Sequence, residues 1–165
     1  MVERDNEAKG ILIDLDLAIL INGEVTLHPR AAIMGTLPFL SVDLLARAPP
    51  LRHMYRHDLE SFLFVLAWIL VRFDEEGMEV NLNEFRGWYT GTHDEMRARK
   101  FGFFISPLAH RPIRFPSLQM AWLKKLGLLF RDGYHMQERN SSASTFDNET
   151  LGGYVTYDSF LGILC

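Results

Sequence analysis

Two carboxylates one residue apart, Asp14 and Asp16, close a short apolar run, Ile11-Leu12-Ile13. On an extended chain alternate side chains point to the same face, so the two acids would converge. Oxygen donors placed in this way suit Mg²⁺, a hard cation that prefers carboxylates and bridges phosphate groups. The competing reading is an exposed strand end whose acids are simply solvated. His53 and His57 lie four residues apart and could share a helical face as metal ligands. The other histidines repeat no such spacing, so a loop ahead of a helix is the better reading. Nucleophilic hydrolysis has no support, because the chain contains no G-x-S-x-G elbow and its single cysteine is the terminal Cys165.

These residues need elements to hold them. Residues 10–14 read as a strand, and Asn22-Gly23, between LAILI and EVTLH, is a two-residue hairpin signal. Pro29, Gly35, Pro38 and the pair Pro49-Pro50 punctuate the next stretch. Between them SVDLLAR has room for about two helical turns, with Ser41 as N-cap. The strongest helix pattern starts at Asp58, as its cap, and runs to about Phe73, with Glu60 in the first turn and Arg72 near the end. Its middle is apolar on every side, which predicts a core helix surrounded by other elements. Further helices are expected around Leu82–Trp88 and His93–Phe104, then a connector marked by Pro107, Pro112 and Pro116. A last long helix should follow Ser117, with Leu118, Ala121, Trp122, Leu126 and Leu129 on one face and Gly133 at its end. Residues 138–150 are polar and turn-rich and read as a mobile loop, and an apolar segment, TYDSFLGILC, closes the chain.

Composition narrows the classes. In 165 residues, 48% are apolar and 23% charged, enough apolar surface for one folded domain rather than a disordered chain. Seventeen Lys and Arg stand against 21 Asp and Glu, a net charge of -4, which argues against nucleic acid as a partner. One cysteine excludes a disulfide framework and a cysteine-rich zinc site. The charged start MVERDNEAKG is not a secretory signal, and the longest apolar run, Phe62 to Val71, is too short to span a membrane. A cytoplasmic or nuclear protein without a membrane partner is expected.

Two families that transfer phosphoryl groups place an acid at such a strand end. ILIDLDLAIL resembles the haloacid-dehalogenase pattern, in which Asp-x-Asp is followed by Gly-Thr; here Leu17-Ala18 stand in those positions. That reading implies a phosphatase with Asp14 as nucleophile and Asp16 as general acid or base. Protein kinases offer several matches in order. Ile13-Asp14-Leu15-Asp16-Leu17-Ala18 resembles Ile-Asp-Phe-Gly-Leu-Ala, and the stretch from Gly35-Thr36 to Val42-Asp43 resembles the end of the activation segment, Gly-Thr-x-x-Tyr-Met-Ala-Pro-Glu. His57-Asp58-Leu59-Glu60-Ser61-Phe62 resembles the start of the central kinase helix. Together, over about Gly10 to Val71, the three segments resemble the fungal-type protein kinase domain; the Leu82, Trp88 and Lys100 region resembles it more loosely.

The resemblance implies a fold and roles. The fold would be mainly α-helical with a small N-terminal β-hairpin region, a kinase-like C-lobe forming a single partial domain over residues 1–165. Asp14 would hold the Mg²⁺ that bridges the phosphates of ATP, and Gly35 and Thr36 would shape the segment that receives a protein substrate. Asp43 stands where a longer Glu normally pairs with a downstream Arg. Asp58 would accept backbone hydrogen bonds from the catalytic loop. Asp16 replaces a glycine and adds charge beside the metal. The Gly-rich loop, the strand Lys with its helix Glu, and the His-Arg-Asp catalytic loop occur nowhere in the chain. In kinase order they would precede Met1, as part of a missing N-terminal lobe. The complete form would transfer the ATP γ-phosphate to protein Ser or Thr, while this chain alone would be inactive and bind neither Mg²⁺ nor ATP tightly. A non-enzymatic interaction module that keeps the substrate-lobe surface is the alternative.

Overall fold

The computed structural model describes residues 2–4, 7–9, 35–46, 53–80, 82–107, 117 and 119–165. The chain divides into two units, Met1–Ala32 and Ile33–Cys165. In the first, the strands β1 (Val2–Arg4) and β2 (Glu7–Lys9) pair antiparallel, with Val2 opposite Lys9 and Arg4 opposite Glu7. The charged residues here carried no strand signal. The expected strand at 10–14 and the Asn22-Gly23 hairpin lie outside the described residues.

The second unit is helical. Its organising element is α1 (Tyr55–Arg72), which begins three residues earlier than Asp58. Met54, not Asp58, is the N-cap residue, and its N–H donates to Nδ1 of His57 (3.1 Å), so a histidine takes the reciprocal position of a capping box. Leu63, Phe64, Ala67 and Val71 of α1 are fully buried, whereas Phe62 and Ile69 are exposed. Burial is therefore not uniform around the helix: one stripe faces outward.

Against the buried side pack α2 (His93–Ile105) and α3 (Lys124–Arg139), followed by α4 (Tyr157–Leu164). Helix α2 has a full capping box, in which the Glu95 N–H donates to Thr92 Oγ1 and the Thr92 N–H donates to Glu95 Oε2. The core is aromatic: Phe64 stacks on Phe104 (5.7 Å between centroids), and Phe104 stacks in turn on Phe130 (5.5 Å). Such pairs contribute about 0.5–1.5 kcal/mol each beyond the area they bury.

Three expected elements differ from those found. Of SVDLLAR, the described residues 41–46 make a single 3-10 turn, Asp43–Leu45, with the Leu44 N–H donating to Ser41 Oγ (3.4 Å). Leu82–Trp88 is not a helix but turns ending in a 3-10 turn, Arg86–Trp88. Phe85 adopts φ 57°, which interrupts a right-handed helix, and its ring stacks on Trp88 at 4.0 Å. The last long helix does not stop at Gly133. A Cβ there would stand 3.0 Å from the Leu151 side chain, so the glycine is what allows α3 to pass close to that chain. A π-helical turn, Gln119–Leu123, precedes α3, and its extra residue rotates the stripe behind it. Leu123, Leu126, Phe130 and Tyr134 form the buried line, with Trp122 and Leu129 at its margin.

Residues 140–153 form a run of hydrogen-bonded turns organised by Asp147, whose carboxylate accepts from the Glu149 and Thr150 N–H groups. Among the described residues no helix is long and apolar enough to cross a membrane.

Candidate functional site

The segment from Gly35 to Ala46 carries three of the residues singled out by sequence, and side chains from α1 and α2 bind its backbone. It is irregular and cannot satisfy its own polar groups. Gly35 sits at φ 142°, a conformation that favours glycine, and a Cβ there would also push aside the end of the Leu40 side chain, 2.7 Å away. Thr36 follows, exposed, and leads into a 3-10 turn, Leu37–Phe39. At the far end of that turn the ammonium of Lys100, from α2, donates to the carbonyls of Leu37 (2.9 Å) and Leu40 (2.5 Å). Lys100 has no exposed surface, and its Nζ lies 4.7 Å from the ring centroid of Phe64.

Two residues on, the Val42 N–H donates to Oε1 of Glu60 (2.6 Å), while the Tyr134 hydroxyl of α3 donates to Oε2 (2.7 Å). Asp43 pairs with Arg56 of α1 at 2.5 Å, and both are buried. The same guanidinium donates through Nε to the Asn148 carbonyl (2.6 Å) and through Nη1 to the Tyr134 hydroxyl (3.4 Å). Thus one charged cluster, Asp43, Arg56, Glu60, Lys100 and Tyr134, ties the segment to the core.

Burial sets the electrostatics. It pushes the Glu60 carboxyl up to about 7, against the bonds from Val42 and Tyr134, and pushes Lys100 down to about 7, with Glu60 opposing. Burial also raises the Tyr134 hydroxyl well above its ordinary value. His57, buried beside Arg56, falls to about 3 and stays neutral. With Nδ1 accepting from Met54, its proton is on Nε2, which has no partner.

Beside the segment opens a wide-mouthed cleft of about 450 Å³, lined by Thr36, Leu37, Pro38, Trp68, Arg72 and Tyr89. The guanidinium of Arg72 stacks 3.9 Å from the Trp68 ring and pairs with Glu79, and the edge of Phe39 meets Trp68 at 5.5 Å. Arg72 is therefore not a solvated charge at a helix end.

Of the residues expected to matter, Asp14 lies outside the described residues. Gly35, Thr36 and Asp43 come together on the pinned segment. Asp58 stands apart, exposed, and accepts from or shares a proton with His53 Nε2 (2.8 Å), a hydrogen bond that raises the His53 pKa. Among the described residues no group of three or more acids, histidines or cysteines could hold a metal ion. Sequence reasoning missed Arg56, Glu60, Lys100 and Tyr134 as a cluster. A signal existed: Arg56 and Glu60 continue the Leu63, Phe64 and Ala67 stripe of α1, and Lys100 lies between Met96 and Phe103-Phe104 on the buried stripe of α2. Charged residues on an apolar stripe point to buried partners.

The site is thus a loop held against a helical core, beside a cleft. Residues 1–70 match the family model described as Fungal protein kinase, in agreement with the resemblance carried by the three motifs. The match includes Asp14, the pinned segment, Arg56 and Glu60; Lys100 and Tyr134 lie beyond it. No curated protein and no solved structure matches the chain.

Proposed function

We propose that the chain is the C-lobe portion of a fungal-type protein kinase whose complete form transfers the γ-phosphate of ATP to Ser or Thr of a protein. The observation that carries this reading is the pinned segment: Gly35-Thr36 through Asp43 has the wording of an activation-segment end, and side chains of two helices hold it beside an open cleft. A protein acceptor would lie along Thr36–Pro38, its hydroxyl oxygen attacking the γ-phosphorus while ADP departs. Asp14 would hold the Mg²⁺ that disperses charge on the transferred group. Asp43, buried against Arg56, would do what the usual longer Glu does, with the shorter carboxylate reached by an arginine of the nearby helix. Asp58, exposed and bonded only to His53 among the described side chains, would be available to backbone groups of a catalytic loop.

The base, the phosphate loop and the lysine of the ATP site are not in this sequence, so transfer is assigned to a longer form. Intact-mass and peptide analysis of the protein from its source cells is the test. Peptides upstream of Met1 in a species heavier than 19.0 kDa support the kinase reading; a single species of 19.0 kDa overturns it in favour of a binding module. Purified chain with Mg-ATP and a generic protein acceptor should transfer no more phosphate than its Asp14→Ala variant. The binding-module reading draws on one observation: every partner of the pinned segment named above lies within Ile33–Cys165.

A further inference from the structure

We infer that Lys100 is the positioning residue of the cleft: its ammonium, delivered from α2, fixes the Leu37–Phe39 turn that forms one wall of the space where an acceptor polypeptide would lie. The acceptor rests on the kinase reading above; the latch itself does not.

The turn cannot hold its own shape. It is one 3-10 turn entered from a glycine at φ 142° and containing Pro38, which has no N–H to give. Its internal bonds are few: the Phe39 N–H donates to Thr36 O (2.8 Å), and the Leu40 N–H is shared between Thr36 O (3.2 Å) and Leu37 O (3.4 Å). Apolar contacts do anchor the segment, since Leu40 and Leu45 cluster with Met96 of α2. Such contacts are non-directional and would let the turn rotate about them. The two carbonyls at its end are directional, and both receive the Lys100 ammonium. That ammonium cannot wander, because it is fully buried and lies over Phe64.

The next anchor, Glu60 to the Val42 N–H, lies past the turn and holds a different part of the segment. Leu37 and Pro38 face Trp68, Arg72 and Tyr89 across the cleft, so a rotation of the turn changes the width of the opening. Removing Lys100 should therefore alter the cleft wall, while removing Glu60 should release the stretch behind it.

Residue-resolved amide exchange on the full chain at about pH 6, where the Lys100 amine is protonated, tests this. In Lys100→Met the Phe39 and Leu40 amides should exchange on the order of tenfold to a hundredfold faster, the loss of two bonds from a charged donor. The Val42 amide and the middle of α1 should stay near wild-type rates. In Glu60→Leu the pattern should reverse, with Val42 released and Phe39 and Leu40 retained. Uniform acceleration in Lys100→Met, or none, overturns the inference. Should Lys100→Met fail to fold, the wild-type protein decides by ¹⁵N NMR of the lysine side chains. One ammonium should be protected from solvent exchange and coupled to the Leu37 and Leu40 carbonyls; four lysines that exchange alike would refute it. The exchange readout needs no ATP and no upstream lobe, so a failed latch and a failed kinase reading are told apart.

Discussion

Glu60 and His57 should oppose each other across the acid range, and Glu60→Gln should unmask the opposition. The folded Glu60 pKa is raised from 4.5 to about 7, so its contribution to stability is fully present below 4.5 and is lost as pH rises through 7. The folded His57 pKa is depressed from 6.5 to about 3, so its contribution is present above 6.5 and is lost as pH falls through 3. At about 1.4 kcal/mol per pH unit, acidifying from 7 to 4.5 gains about 3 kcal/mol from Glu60 and loses about 3 kcal/mol from His57. From these two groups the wild-type curve should be nearly flat there and fall below pH 4.5, where His57 acts alone. Glutamine keeps the shape, still accepts from the Val42 N–H through its oxygen, donates from its amide nitrogen to the Tyr134 oxygen in place of accepting from it, and carries no titrating proton. The assay is urea unfolding followed by tryptophan fluorescence, at half-unit intervals between pH 4 and 7. Taking the difference between variant and wild type removes the exposed carboxylates, Glu95 and Asp147, whose pKa values are lowered by hydrogen bonds from Thr92 and Thr150 and act equally in both proteins. The variant should lose about 3 kcal/mol relative to wild type between pH 7 and 4.5. Parallel curves would refute the reasoning, because Glu60 would then titrate as an exposed acid does.

Breaking the buried pair from the other side, Arg56→Met should cost about 3–5 kcal/mol by stranding Asp43, read as a lowered urea midpoint at unchanged slope. Phe104→Ala, at the centre of the stacked rings, should cost about 3–5 kcal/mol, and thermal unfolding by circular dichroism will show it. Gly35→Ala should cost about 1–3 kcal/mol through the φ of 142° and the Leu40 side chain. Its near-ultraviolet signal from Trp68, whose ring meets Phe39, should change with it. Were Gly35→Ala neutral in both stability and signal, the turn would not have the conformation described.

Local signals determined a good part of this molecule. The helix His93–Ile105 was legible from its own residues, because Thr92 and Glu95 satisfy its first N–H groups without help from elsewhere. The apolar run of α1 announced a core helix, and Gly35, Thr36 and Asp43 were marked by their order along the chain. Three-dimensional packing decided the rest. Leu82–Trp88 had a helical pattern, but the stacking of Phe85 on Trp88 accompanies a left-handed φ that ends it. Gly133 had the wording of a stop, yet the approach of Leu151 makes it a close-packing position inside α3. Most of all, Glu60 and Lys100 looked like ordinary helix charges, and Arg56 fell in the loop expected ahead of the helix. Whether a charge is solvated or buried depends on what lies opposite, and the partners of Glu60 and Lys100 stand 18 to 74 residues away in sequence. A chain can write its own caps and stripes locally; the partner of a buried charge exists only once the fold has brought it there.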